Sequence, residues 1–312
     1  MTGDEPRKRR WLRPLGLFVV ALGLAVGPPT VIVAVTFSLL TLCTPGGKWT
    51  GFAFAVVALA VVFAGEPDGG MWYLERGWAL LVGGAFAAST MAWPDRPFFP
   101  RALGSLAIGA GAGAAILLVL NGWSSVETMM VSRIESSVAA TLELVAPLTE
   151  GGARASLAEA VARTAQVQGV LFPALVALST LASLGVAWWL HIRVAARSDR
   201  GLRPFREFRF PEPLIWLFIA GIALVLVAEW SVGWGRAGTN LMAFMGALYV
   251  LRGLGVLVFF LGGVSVAGGV LFLLALLMTG PLFLGGALVI GMGDSWLDLR
   301  SRIPMKSAGK GE

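Results

Sequence analysis

Arg252 stands in the middle of apolar sequence, between Leu248-Tyr249-Val250-Leu251 and the long apolar run 253–279. A cation held at membrane depth has to face a cavity or an acid partner. Glu229, near the end of the preceding apolar block, is the candidate acid. Together Arg252 and Glu229 would form a charged lining able to bind a small polar solute. The alternative is that the span ends early and Arg252 reaches the interface on its own methylene stem.

The remaining reactive side chains are few. A His/Cys metal site needs three or four ligands, and this chain has one histidine, His191, and one cysteine, Cys43. Cys43 lies in an apolar block and reads as a small packing residue. No acid pair is clustered inside an apolar block. The phosphate-loop, H-E-x-x-H and G-x-S-x-G patterns are absent from the sequence. Gly109-Ala110-Gly111-Ala112-Gly113 is glycine-rich, but small residues in mid-span let helices approach closely, which is the favoured reading over phosphate binding. No metal, no cofactor and no enzymatic activity are expected. Asn121 and Asn240, at span ends, read as caps or interfacial hydrogen-bonding groups.

Charge gathers in two further places. Asp294 and Asp298 are four apart, hence on one helix face, with Arg300 beside them. Arg193, Arg197, Arg200, Arg203, Arg206 and Arg209 fill the loop 191–210. The favoured reading is a salt-bridge cluster between the acids and this loop. The sharper one is a patch formed by Arg193, Arg197, Arg200, Arg206, Asp294, Asp298 and Arg300 that contacts a partner or lipid phosphates.

The elements that must position these groups are membrane helices. The 312 residues are 57% hydrophobic and 13% charged, against roughly 45–50% and 25% in soluble domains. The apolar residues come in blocks near the ~20 residues a helix needs to cross the hydrocarbon layer. They are apolar all round, so helices are expected rather than barrel strands. The formal charge of +6 sits in short runs beside these blocks, as the positive-inside rule requires, and no nucleic-acid partner is expected. Trp49, Trp72, Trp93, Trp123, Trp189, Trp216 and Trp230 flank the blocks as an interfacial belt.

The sequence therefore predicts an all-α, polytopic membrane bundle of eight apolar segments, making eight to ten crossings. Residues 1–13 form a basic tail and 14–122 the N-terminal transmembrane helices. Their blocks are 14–44, interrupted at Gly27-Pro28-Pro29, then 50–65, 73–93 and 102–122. Region 123–166 is amphipathic and extramembrane or interfacial. There Val126, Met130, Ile134, Val138 and Leu142 recur every four residues and share one helix face. Beyond Gly151-Gly152 a second short amphipathic helix occupies 153–166. Residues 167–299 hold the C-terminal transmembrane helices, at 168–190, 213–230, 240–261 and 264–297, the last interrupted at Gly280-Pro281. A basic tail, 300–312, closes the chain.

The arginine loop and both tails should be cytoplasmic. The turn with Glu66 and Asp68 and the acidic 123–166 region should lie outside. These assignments agree only if 14–44 and 264–297 each cross twice. A bacterial inner-membrane location follows, with the lipid bilayer as the first partner.

Three stretches carry a resemblance. One is Leu171-Phe172-Pro173 through Trp188-Trp189, running on into Phe205-Arg206-Glu207-Phe208-Arg209-Phe210-Pro211. Another is Tyr249-Val250-Leu251-Arg252-Gly253-Leu254-Gly255-Val256. The last is Gly291-Met292-Gly293-Asp294-Ser295-Trp296-Leu297-Asp298-Leu299-Arg300-Ser301-Arg302. Together they resemble the YybS-like bacterial membrane proteins, a family of unknown function. One departure is Arg252, which stands where the resemblance leads one to expect a glutamine, so no amide role carries over. That family is more distantly similar to the substrate-capturing S-components of energy-coupling-factor vitamin transporters. The resemblance implies a substrate-binding protein for a small solute that depends on an energising membrane partner. A membrane scaffold that recruits partners through its basic loop and tail is the alternative.

Overall fold

The computed structural model describes residues 28–43, 49–63, 69–145, 152–194, 208–260 and 266–302. Outside the described residues lie the tail 1–13, the first half of the 14–44 block, Glu66 and Asp68, Arg197, Arg200, Arg203 and Arg206, and the tail beyond Arg302.

The described residues are all-α. Ten helices follow in order: α1 Pro28–Cys43, α2 Trp49–Phe63, α3 Gly69–Ala92, α4 Phe98–Val119, α5 Trp123–Val145, α6 Gly152–Val194, α7 Ile215–Val227, α8 Gly233–Phe260, α9 Val266–Leu297 and α10 Leu299–Arg302. A 3-10 turn at Glu212–Leu214 leads into α7. Four stretches are long and apolar enough to cross a membrane: Phe98–Val119, Ala158–Val194, Gly233–Phe260 and Met278–Leu297. Pro29–Cys43, Gly51–Ala60 and Glu212–Val227 are shorter apolar helices. Large apolar side chains face outward on several of these helices, among them Leu118, Val119, Leu226, Val227 and Met278. Water would penalise such surfaces; lipid does not.

The chain forms two compact units. The first comprises 1–129 and 179–201, the second 130–178 and 202–312. The boundary falls inside α6, whose earlier part belongs to the second unit.

In the first unit α1 is the central helix, packed by α2 and α3, with α4 against α3. Ile32 and Val35 meet Val62 and Ala79, while Phe37 meets Ala55 and Ala187. Small residues set the spacing. A side chain at Gly83 would run into Thr36 of α1. One at Gly109 would collide with Val82, so the glycine-rich run of α4 brings helices together, as small residues do in membranes. Two polar side chains are matched inside: Ser38 donates to the Ala55 carbonyl at 3.0 Å, and Trp78 Nε1 donates to Thr180 Oγ1 at 3.0 Å.

In the second unit α8 is central, with α7 and α9 on it. The approach of α7 again needs glycine, since side chains at Gly221 and Gly238 would meet the opposite helix.

One expectation about elements changes. The helix expected at 153–166 and the span at 168–190 are one continuous helix, α6, of 43 residues. No helix-breaking pair separates them, and the single Gly169 is tolerated within a helix. The 264–297 block is interrupted where the sequence places the interruption: two helical stretches meet at a kink at Thr279 (φ −129°, ψ 30°), just before Gly280-Pro281. By contrast, the four-residue repeat of α5 marks its covered face. Met130 is buried and Val126, Ile134, Val138 and Leu142 are half-buried, whereas Glu127, Arg133, Glu135 and Glu143 are exposed.

Candidate functional site

The site is built where α8 and α9 cross. Gly253 lies against the Ala287 carbonyl and Gly291 against the Tyr249 carbonyl, so that a β-carbon at either glycine would overlap backbone. This contact brings the turn of α8 that carries Arg252 beside the last turn of α9, which carries Asp294. The other wall is the extended segment before the 3-10 turn. Phe210 stacks edge-to-face on Tyr249, with ring centroids 5.0 Å apart, and Phe218 of α7 does so at 5.9 Å.

Asp294 is the hub. Its Oδ2 accepts from Arg252 Nε at 2.8 Å and from Arg300 Nη2 at 2.7 Å, and its Oδ1 accepts from Arg300 Nε at 3.3 Å. Arg252 Nη2 also donates to the Asp294 carbonyl at 3.1 Å, and Arg300 Nη2 to the Phe208 carbonyl at 3.1 Å. The side chains are only 3%, 0% and 4% exposed for Arg252, Asp294 and Arg300. Among the described residues, two guanidiniums share this one carboxylate. The ring face of Phe210 adds to the attraction, with its centroid 5.5 Å from the Arg252 guanidinium carbon. The arrangement is an ionic clasp joining α8, α9, α10 and the 208–210 segment.

Arg252 therefore has a different acid from the one expected. Glu229 is exposed in the loop before α8, and its Oε1 accepts from Ser231 at 3.1 Å. That loop packs at the start of α8, where Thr239 Oγ1 donates to the Trp230 carbonyl at 2.9 Å. Arg252 lies most of a membrane thickness further along, about 25–30 Å at ~1.5 Å per residue. The two cannot line one pocket.

Asp294 and Asp298 do not share a helix face either. Helix α9 ends at Leu297, and Asp298 follows with a left-handed φ of 41°. This turns it outward, where Oδ1 meets Arg209 Nη2 at 2.7 Å with both side chains half-exposed. Arg193 is exposed and lies over Trp189, 5.8 Å from its ring centroid. Arg197, Arg200 and Arg206 fall outside the described residues. Cys43, expected as a packing residue, is exposed at the end of α1. His191 is buried, with Nδ1 3.2 Å from Thr41 Oγ1. Asn121 takes the left-handed conformation (φ 47°) just past α4, a role asparagine tolerates.

A second polar constellation lies at the start of α8. Pro173 sits inside α6, where it has no N–H to give the Gly169 carbonyl. Arg236 Nη2 supplies a donor to that carbonyl at 3.0 Å. Asn240 takes the next pair: its Nδ2 donates to the Val170 carbonyl at 2.8 Å and its Oδ1 accepts from Ala174 N at 2.9 Å. Arg236 and Asn240 are four apart on α8 and so lie on one face. Sequence reading placed Asn240 at a span end and passed over Arg236. The signal was there, in a proline within one span and two polar residues at helical spacing in another.

The first unit holds a residue that sequence reading also passed over. Arg101 stands among Pro97-Phe98-Phe99-Pro100, which reads as an ordinary loop, yet it is buried. Its Nε reaches the Pro97 carbonyl at 3.4 Å, and its guanidinium lies over Trp188, 4.7 Å from the ring centroid.

The three stretches that carry the resemblance thus place Phe208–Phe210, Tyr249–Gly253 and Gly291–Arg300 around one clasp. No curated protein and no solved structure matches the chain. The family described as "Predicted membrane protein (DUF2232)" matches residues 17–295. With that match over most of its length, and with four helices long and apolar enough to cross a bilayer, the chain belongs to this family of multi-pass membrane proteins.

Proposed function

We propose that this membrane protein is a transport-related, substrate-binding subunit, not an enzyme, that holds a small solute among the helices of its second unit. The observation that carries the reading is Pro173 inside α6, which leaves the Gly169 carbonyl without its helical donor and has the polar side chains of Arg236 and Asn240 gathered beside it. Irregular backbone at membrane depth is tolerated where protein buries it or where it lines a cavity. In many transporters, discontinuous helices form the substrate site. The solute-binding role first assigned to Arg252 and Glu229 moves to Arg236 and Asn240, because Arg252 and Glu229 lie too far apart to line one pocket. The YybS-like identity and its distant similarity to vitamin-capturing S-components belong to the same reading. So do an energising membrane partner, eight to ten crossings, a bacterial inner-membrane location and cytoplasmic termini. Purified protein in detergent, screened by thermal shift against thiamine, riboflavin and biotin, tests it. A shift with one of them that Asn240→Ala abolishes supports the reading. Failure of all three to stabilise the wild type counts against it.

A scaffold that recruits partners is the second reading. It is favoured by the closed state of the clasp, which ends in the half-exposed Arg209–Asp298 pair. This reading expects co-purifying proteins that disappear when the cations of 193–209 are neutralised.

A further inference from the structure

We infer that the first unit carries an oxyanion site at the N-terminal end of α4, built around Arg101 and suited to a phosphate group. Arg101 is 6% exposed, and its Nη1 is buried with no hydrogen-bond partner. It contacts the Pro97 carbonyl, through Nε, and the face of Trp188. No carboxylate pairs with it among the described residues. A buried cation in that state is costly at the edge of a membrane.

The position of the guanidinium adds to the case. By folding back to Pro97 it lies at the positive end of its own helix, whose first turn contains no acid and whose capping residue offers no side-chain acceptor. A fixed cation and the N-terminus of a 22-residue helix therefore reinforce one another. An anion placed there relieves both, and it accepts from the planar fork of an arginine in the way phosphate does. The surroundings are polar enough to receive it. Trp188 stacks on His191 at 5.9 Å, His191 meets Thr41, and Ser105 lies 3.5 Å from Ser89. The turn just before α4 carries Trp93, a residue typical of headgroup depth. A phosphodiester of an anionic lipid and free inorganic phosphate share the required chemistry.

The site is independent of the solute reading, since Arg236 and Asn240 take no part in it. The test uses the full chain, purified in detergent and stripped of lipid. Phosphatidylglycerol is added and counted by native mass spectrometry; inorganic phosphate is titrated by calorimetry. The wild type should bind at least one of the two. Arg101→Gln should weaken that binding by about 10–100-fold, the worth of one charge-assisted hydrogen bond, whereas Arg163→Gln, at an exposed residue of the second unit paired with Glu159, should leave it unchanged. Loss confined to the lipid identifies a headgroup site, and loss confined to inorganic phosphate identifies a site for the free anion. The lipid-stripped Arg101→Gln protein should melt no lower than the wild type, because it loses an unmatched cation. Should that variant fail to fold, Arg101→Lys keeps the charge without the fork and should bind with intermediate strength. Equal binding by the wild type and the substituted protein, or no binding of either probe by the wild type, overturns the inference.

Discussion

Arg236 donates to the Gly169 carbonyl at 3.0 Å, the acceptor that Pro173 deprives of its helical donor. The donor that one helix lacks is supplied by the side chain of another, and Asn240 bonds the backbone of the following turn. In an apolar surrounding an unmatched peptide group costs several kcal/mol. The proline and its two polar neighbours therefore make sense only together.

Asn240→Ala should lower the melting temperature of the detergent-purified protein, with a cost of about 1–3 kcal/mol for the unmet groups. Adding Pro173→Ala should recover part of that loss, because a regular helix meets Gly169 and Val170 by itself. Thermal unfolding of the single and double variants checks this. Equal melting of the two would show that Asn240 does not act through the break.

For the clasp, the order of the substitutions is informative. Asp294→Ala removes the carboxylate that both buried guanidiniums share and should be the worst, at about 3–5 kcal/mol. Arg300→Met leaves one balanced pair, Arg252 with Asp294, and should be milder. Replacing all three by Met, Leu and Met should restore much of the stability, since well-packed apolar substitutes for a buried ionic group are often neutral. Finding Arg300→Met worse than Asp294→Ala would refute the hub role of Asp294.

Gly291→Ala should destabilise by at least about 1–3 kcal/mol, the usual cost of overpacking, since the added carbon would overlap the Tyr249 carbonyl. Gly286→Ala, on the same helix with open space around it, should be neutral or mildly stabilising. Equal melting temperatures for these two proteins would argue against the close crossing of α8 and α9.

Asp298 combines a left-handed backbone with a half-exposed ion pair. Asp298→Asn keeps a residue that tolerates this conformation and should cost less than about 1 kcal/mol, the range of exposed pairs. Asp298→Ala should cost about 1–2 kcal/mol more, through the backbone. Unfolding in low and high salt separates the effects, because only the ionic part is screened.

The helical, membrane character of the chain was legible because it rests on local runs of apolar residues. So was the covered face of α5, where Val126, Met130, Ile134, Val138 and Leu142 repeat at a fixed interval. Pairings across the chain were not. Arg252 and Asp294 are 42 residues apart, and nothing local in the sequence connects them, so the nearest acid in apolar context, Glu229, stood in for the true partner. The outward turn of Asp298 was hidden because spacing alone assumes that a helix continues. The junction within α6 was misjudged for the opposite reason. A change from polar to apolar composition looked like a boundary, but helical geometry has no need to stop there. Arg101 escaped notice because two prolines beside it suggest a loop, and burial is a property of the assembled helices.

The separation of Arg252 from Asp294 also bears on how the protein is made. The cation of α8 leaves the ribosome before the carboxylate that will neutralise it, by about 2–8 s at ~5–20 residues per second. During that interval α8 enters the bilayer with its charge uncompensated, so the insertion machinery or the headgroup layer must shelter it. Final seating of the helix waits for the end of α9 and for Arg300 behind it. Seating of α8 thus depends on the later synthesis of Asp294: a chain that stalls before this residue holds Arg252 in apolar surroundings without the carboxylate it pairs with.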